Sequence, residues 1–408
     1  MLDACYNQFM ANEHDQDRET LAPDIEHARY QRERIIASSD KYFVTAGSQL
    51  DEDVAEVLWR KNQEGFTRLN ESSISRQNMT RDEYDADVAN PDVLKYTVYA
   101  KADEGKVSEG AESAIGMLFV HADARNVDWV NQQYMQSHLP GFAEGKYVYI
   151  STLVIEQNHR GIDASGLLIR GVGEDLYPGN ALMDFAKAND ALPGYIEHCL
   201  HSDTLGSGGP LEADVVRLGA ESYRAIDPSR ATDLPGEIEG ISVVNQIGRD
   251  EAEALWPLYE ARAAEVEHNK PGTQTLTNEQ FLDYCADTRV AKIVAESDVT
   301  FLAQDLAALP HLSEDYVRAQ TGATRANYII GAGVMESGGT PNAARRLAIA
   351  VHLAKEAGAV MLYDADERSE QLNQQLAHMC GQESSEIDHQ SYWIIRSRHD
   401  AQAPGAAS

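Results

Sequence analysis

Two stretches of this sequence run from an apolar, strand-like segment through a short polar turn straight onto a helix-like one. They are TLVIEQNHRGIDASGLLIRG, residues 152–171, and VMESGGTPNAARRLAIAV, residues 334–351. A helix that begins at such a turn leaves its first backbone N–H groups without partners inside the helix. Those groups, at the positive end of the helix dipole, favour a phosphate. In the first stretch Gly161 supplies backbone freedom and Arg160 supplies charge, whereas Asp163 is a carboxylate that competes for the same amides. The same residues also read as an ordinary helix start capped by Asp163 or Ser165. In the second stretch Gly338 and Gly339 give freedom, Thr340 can cap, and Pro341 suits a first helical turn. Arg345 and Arg346 lie one turn in, where one of them could reach a phosphate. Gly-Gly-Thr-Pro is equally an ordinary way to start a helix.

Other chemistries find less support. Cys199 and Cys380 have His198 and His378 beside them, but neighbours one or two apart on a helix do not share a face, so these thiols read as core residues. There is no Gly-x-Ser-x-Gly elbow, no HExxH, and no clustered His/Cys set, so neither serine-hydrolase chemistry nor a metal site is expected.

The elements that would position these turns follow from periodicity. Ile25 to Ala37 reads as a short helix, and Asp51 to Leu69 as an amphipathic one with an acidic start. Thr80 with Glu83, and Thr277 with Gln280, are capping boxes. Strands are expected at 94–100, 113–121 and 147–155. The last of these, YVYISTLVI, is near-continuously apolar, as a central strand covered on both faces should be. A helix follows at 164–176, and 218–226 is a further strand. In the second part, helices are expected at 252–266, from 277, at 342–357 and at 369–379. Strands are expected at 290–295, 299–304, 327–335, 359–363 and 391–395. Small residues at Ser151-Thr152 and Gly331-Ala332-Gly333 mark where the two central strands could bulge.

The chain is written twice. Leu58-Trp59 recurs as Leu255-Trp256, Met79-Thr80 as Leu276-Thr277 and Lys95-Tyr96 as Lys292-Ile293, all at one offset. The register then shortens, because the first copy carries an extra polar loop between Ala102 and Ser113. Beyond it Tyr134 matches Tyr316, Val154 matches Val334 and Cys199 matches Cys380. A repeat this long implies two similar domains rather than a solenoid. The expected organisation is an extension at 1–49, a first domain at 50–227, a linker at 228–240, a second domain at 241–397 and a disordered tail at 398–408. The class is α/β (α+β), each domain a mixed sheet flanked by helices.

This order of elements resembles the GCN5-related N-acetyltransferase (GNAT) superfamily. The resemblance rests on YVYISTLVI, NHRGIDAS and the following helix, and on NYIIGAGVM, GGTPNA and RRLAIAVHLAKEAG. It implies that acetyl-CoA or another acyl-CoA is the cosubstrate, with the pantetheine arm along Leu153, Val154 and Ile155 and the pyrophosphate at Arg160, Gly161 and Ser165. In the second copy it implies Val334, Gly338, Gly339, Thr340 and Arg345. The sequence departs from the family turn by placing Asp163 where a glycine belongs and Ser165 at the next small position. Thr340, Ala343 and Arg345 hold the three places in the second copy. The resemblance further implies acyl transfer to a small-molecule amine, with Glu156 as base and Tyr195 as acid toward the leaving thiolate. Glu156 also reads as a solvated loop carboxylate and Tyr195 as a packed aromatic. The second copy has Glu336 and Leu376 at those places, which favours the first copy as the reactive one. The alternative is a non-catalytic binding or scaffold protein that kept the fold and lost the turn.

Bulk properties narrow the partners. The formal charge is −32, from 66 acidic and 34 basic residues, which repels nucleic acid phosphates and anionic membranes. This charge reads as solvation, including adaptation to high salt, or as attraction for a cationic substrate. Hydrophobic residues make up 43%, enough for two cores in 408 residues. Four scattered Cys read as free thiols in a reducing, cytoplasmic compartment. No secretory signal and no membrane span is expected. A monomer or homodimer is expected.

Overall fold

The structure is a computed structural model. It describes residues 34–75, 79–101, 110–203, 205, 209–232, 234–266, 271–272, 276–295, 298–309, 311–331, 341–366 and 370–398. The loose start at 1–20, most of the 102–113 loop and nearly all of the 398–408 tail lie outside these residues.

The first half contains β1 (Arg34–Ser38), β2 (Tyr42–Gly47), α1 (Glu52–Asn70), α2 (Arg81–Ala89), β3 (Val93–Ala100), β4 (Ala114–His121), α3 (Gln132–His138), β5 (Tyr147–Ile155), α4 (Leu167–Leu176), β6 (Asn180–Ala186), α5 (Leu192–His201) and β7 (Ala213–Ile226). The second contains β8 (Ile241–Val244), α6 (Arg249–Val266), α7 (Asn278–Ala286), β9 (Val290–Ala295), β10 (Asp298–Ala303), α8 (Glu314–Thr321), β11 (Ala326–Ile330), α9 (Pro341–Glu356), β12 (Val360–Asp366), α10 (Glu370–Cys380) and β13 (Ser385–Ser397). From β2 onward the two lists run element for element. Equivalent residues do equivalent work. Lys95 is buried and donates to the carbonyls of Ser48 and Asn90, and Lys292 does the same to those of Asn245 and Asp287. Both expected capping boxes are formed, at Thr80 and Thr277.

Helices cover both faces of the sheet. In the first half Phe43, Leu58, Tyr84, Phe119 and Val154 form the core beneath α1 and α2. Val44, Tyr96, Leu118 and Leu168 form the core beneath α4. Phe281 stands in the second half where Tyr84 stands in the first.

Among the described residues all strands join one 13-stranded sheet, ordered β1-β2-β3-β4-β5-β6-β13-β7-β12-β11-β10-β9-β8. Apart from β1 this order is a palindrome of equivalent strands, so the halves are related by a pseudo-twofold axis between β13 and β7. The last strand of each half is exchanged. β7 pairs with β12 from Met361↔Ile226 to Asp366↔Glu221, and β13 pairs with β6 from Ile395↔Ala181 to Gln390↔Ala186. β7 and β13 pair antiparallel with each other from Ser385↔Ala225 to Ser397↔Ala213. Side contacts obey the same symmetry. A bridge joins Ser75 to Leu312, and its equivalent joins Gly272 to Val130. The hydroxyl of Tyr134 donates to the carbonyl of Leu218, and that of Tyr316 to the carbonyl of Ile387.

Three expectations need correction. Residues 34–37, read as the end of a helix, are strand β1, because Ile35 and Ile36 are β-branched and the strand finds β2, Ile35 pairing with Thr45 and Ala37 with Val44 around a bulge at Ile36. Residues 34–47, assigned to the extension, are part of the sheet, with β2 the counterpart of β8. The final strand is longer than 391–395 and the strand at 218–226 begins at Ala213, since the two pair with each other from Ser385↔Ala225 to Ser397↔Ala213, beyond their pairing with β6 and β12. The strand expected at 327–335 is described only to Ile330, and Gly331 turns with φ 64°.

Exchange predicts how the halves behave apart. Residues 34–232 expressed alone should be dimeric by size exclusion, β7 pairing with β7 of a second copy in place of β13; a folded monomer would contradict this. The junction also carries a pH signature. Asp184 on β6 accepts from Gln390 on β13, yet burial pushes its carboxyl up to about 6. A raised carboxylate pKa means the folded state holds the proton more tightly. Stability from this group is therefore lost as pH climbs from about 4 to about 6. Asp184→Asn should flatten that decline in melting temperature while leaving the acid side unchanged.

Candidate functional site

β5 is unusual where the first stretch begins. It pairs with β4 as Val120↔Ile150 and then Phe119↔Thr152, so Ser151 is an extra residue, a bulge. The expected bulge in this strand is therefore present. The Ser151 hydroxyl is buried and has no hydrogen-bond partner. On its other side β5 pairs in parallel with β6 only from Tyr147↔Asn180 to Ile150↔Met183. Beyond that pair β5 continues to Ile155 while β6 runs on against β13. A slot opens between them. Leu153, Val154 and Ile155 form its β5 edge, held from behind by Leu118, Met117 and Gly116 of β4.

The slot leads to the turn. The amide of Glu156 donates to the carbonyl of Ile115, and Arg160 Nε donates to the carbonyl of Ile155 at 3.1 Å. Gly161 has φ 147°, a conformation that other residues rarely adopt. One π-helical turn, residues 162–166, then feeds α4. Neither acidic nor hydroxyl side chain caps this start. Asp163 turns outward to Lys41 at 3.1 Å, and Ser165 Oγ donates back to the carbonyl of Gly161. Asp163 therefore does not occupy the amides it was expected to contest.

Tyr195 reaches the same turn from α5. Its hydroxyl lies 2.7 Å from Ser165 Oγ and 3.4 Å from the carbonyl of Gly161, and burial raises its pKa. The structure thus brings Gly161, Ser165 and Tyr195 together, with Arg160 one residue before them. Glu156 stands at the end of β5 with one carboxylate oxygen held by the ammonium of Lys61, a nearly buried side chain on α1. Lys61 was missed by sequence reasoning. Its signal was Gly65 in the interior of a predicted helix, which marks close backbone approach. A Cβ there would lie 2.4 Å from Val154 Cγ2. Lys61, one turn earlier, shares that face.

The second half differs. β11 pairs in parallel with β12 from Ala326↔Val360 to Ile329↔Tyr363. Val334, Glu336, Gly338, Gly339 and Thr340 lie outside the described residues. Arg345 is exposed on α9, whereas Arg346 is buried and paired with Asp298, which also meets Arg262. Burial, then the neighbouring Arg262 charge, lowers the Arg346 pKa to about 10. Leu376, at the place of Tyr195, is in the core. Cys199, Cys285 and Cys380 are free and buried, and burial pushes the Cys285 and Cys380 thiols up to about 11. They are not poised nucleophiles. Among the described residues no cluster of three metal-ligating side chains occurs, and no helix is long and apolar enough to cross a membrane.

No protein-family model matches the chain, and no curated protein matches it. Similar solved structures include a GCN5-related N-acetyltransferase from Kribbella flavida, at 13% identity and TM-score 0.46, covering 90% of this chain and 76% of that one. A conserved protein of unknown function from Enterococcus faecalis V583, described as a probable N-acyltransferase, is similar at 10% identity and TM-score 0.46, covering 86% and 72%. A tandem GNAT protein from the clavulanic acid biosynthesis pathway is similar at 10% identity and TM-score 0.42, covering 89% and 98%.

The closeness of α1 to β5 is testable. Gly65→Val should lower unfolding free energy by about 1–3 kcal/mol in urea titration, because the helix must lift from Val154 and carry Lys61 with it. A change within about 0.5 kcal/mol would mean that α1 does not set the position of Lys61.

Proposed function

We propose that this chain is an acyl-CoA-dependent N-acyltransferase that acts on a small-molecule amine, with its reaction in the first half. The observation that carries the reading is the slot past Ile150 and Met183, which ends on a helix start with no side-chain cap. An extended thioester arm fits along Leu153, Val154 and Ile155, where β5 has left β6 and can bond a ligand as it would a strand. The pyrophosphate falls at Gly161 and the first amides of the helical turn, with Arg160 beside them.

The amine nitrogen attacks the thioester carbon and the C–S bond breaks. Glu156, beyond Ile155, takes the ammonium proton through water, and the departing thiolate is protonated from solvent; the Tyr195 hydroxyl, on Ser165 Oγ and 3.4 Å from the Gly161 carbonyl, lies at the phosphate end of the arm. The Lys61 ammonium holds Glu156 in place at the strand end. The strong net negative charge attracts a cationic amine at long range. The reading further includes the cytoplasm as the compartment, where the three buried thiols stay reduced, and a monomeric or homodimeric chain without nucleic acid or membrane partners.

One observation favours the scaffold alternative: the Lys61 contact occupies a Glu156 oxygen that a base would need. Ligand binding and turnover separate the two. Millimolar CoA should raise the melting temperature by roughly 2–4 °C, and Ser165→Asp should abolish the rise. With an amine panel and acetyl-CoA, Glu156→Gln should lower kcat about a hundredfold or more, with CoA binding intact. No stabilisation by millimolar CoA would overturn the reading.

A further inference from the structure

A cavity of about 50 Å³ lies in the first half between the sheet and helices α4 and α5. Ile150 and Met183, the last pair before β5 and β6 separate, are both in its wall, and Leu153 and Phe185 line it just past that point. It therefore adjoins the slot. The bulge is what allows this. With Ser151 extra, Ile150 and Leu153, three apart in sequence, face the same side of the strand, beside Val120 and Leu118 of β4. Among the described residues of the wall, Tyr177 and Ser397 alone have polar side chains, and none is charged. A space of this kind excludes a charged ligand and accepts aliphatic carbon.

The repeat supplies an independent comparison. Ala181 pairs with Val148 and with Ile395, and its counterpart Met361 pairs with Asn327 and with Ile226. Met183 likewise corresponds to Tyr363, whose hydroxyl donates to Asn373. Both counterparts are fully buried. At these two positions the second half carries the larger side chains, and both are enclosed.

We propose that this cavity receives the acyl chain of the donor, so that the protein takes thioesters of short aliphatic acids longer than acetate. The proposal rests on the acyl-CoA reading of the slot. Methylenes of the chain leave the slot beside Ile150 and lie against Ala181 and Ala213, while the thioester carbon stays at the slot.

Calorimetric titration of the full chain with CoA, acetyl-CoA, butyryl-CoA, hexanoyl-CoA and palmitoyl-CoA tests it. Each methylene buried should tighten binding by about fourfold, so butyryl-CoA should bind about tenfold or more tighter than acetyl-CoA. Palmitoyl-CoA should gain nothing over hexanoyl-CoA, since the cavity is short. Ala181→Met, which installs the second half's residue, should bring hexanoyl-CoA back to the affinity of acetyl-CoA, with CoA itself as the internal control. Should that variant lose its cooperative melting transition, Ala213→Val fills the same space on a strand that tolerates it. Equal binding of CoA, acetyl-CoA and the longer thioesters would overturn this proposal and leave the slot reading standing. Absence of binding by all five would overturn both.

Discussion

Antiparallel pairing of β7 with β13 is the interaction on which the rest of this structure depends. Each of these strands closes the half it does not belong to. β6 would otherwise end the first half's sheet with an open row of backbone donors and acceptors, and β12 would do so in the second. Such edges are costly to leave bare and prone to wrong pairing. Exchange removes both at once and makes the two sheets one. The reciprocal bridges at Ser75–Leu312 and Gly272–Val130 act as an isologous interface does, each satisfying on one side what its twin satisfies on the other. The join therefore behaves as a dimer interface enclosed in one chain.

The slot inherits its geometry from that join. β6 is aligned along Ala181–Ala186 by β13, a strand from the other end of the chain, while β5 is aligned by β4. Two parallel strands with different masters stay paired only as far as both alignments agree, which here is Ile150↔Met183. The bulge at Ser151 adds twist to β5 just where the agreement ends. One wall of the first half's site is thus set by the second half, which gives that half a structural reason to be retained whatever its own chemistry.

Much of this was legible from the sequence because it rests on local patterns. The repeat, both capping boxes, the central strand and its bulge follow from residue type and spacing, and Gly161 was identified as the permissive position. The exchange of β7 and β13 was not legible. Both strands have ordinary strand composition, and nothing local says whether β6 is closed by β7 or by β13. Strand β1 was misread because Arg and Glu around Ile35 and Ile36 imitate a helical surface, and pairing with β2 decided the matter. Asp163 was expected to cap or to obstruct the turn. Its partner Lys41 lies far away in sequence, and long-range ion pairs have no sequence signature. The pairing of Lys61 with Glu156 was hidden for the same reason, although Gly65 marked the face on which they meet.

The two halves show how one fold can be emptied or filled at the same place. Ala181, Met183 and Tyr195 in the first half correspond to Met361, Tyr363 and Leu376 in the second, and each second-half residue consolidates the core where its partner leaves room or presents a hydroxyl at the turn. A cavity costs stability, because its lining loses contacts that a filled core would make. At the position equivalent to Ala181 the second half carries a fully buried methionine, Met361. Keeping alanine at position 181 therefore gives up packing that is within easy reach, and a vacancy retained at that cost, next to the slot and aliphatic on nearly every side, has the character of a binding feature rather than of a flaw in the core.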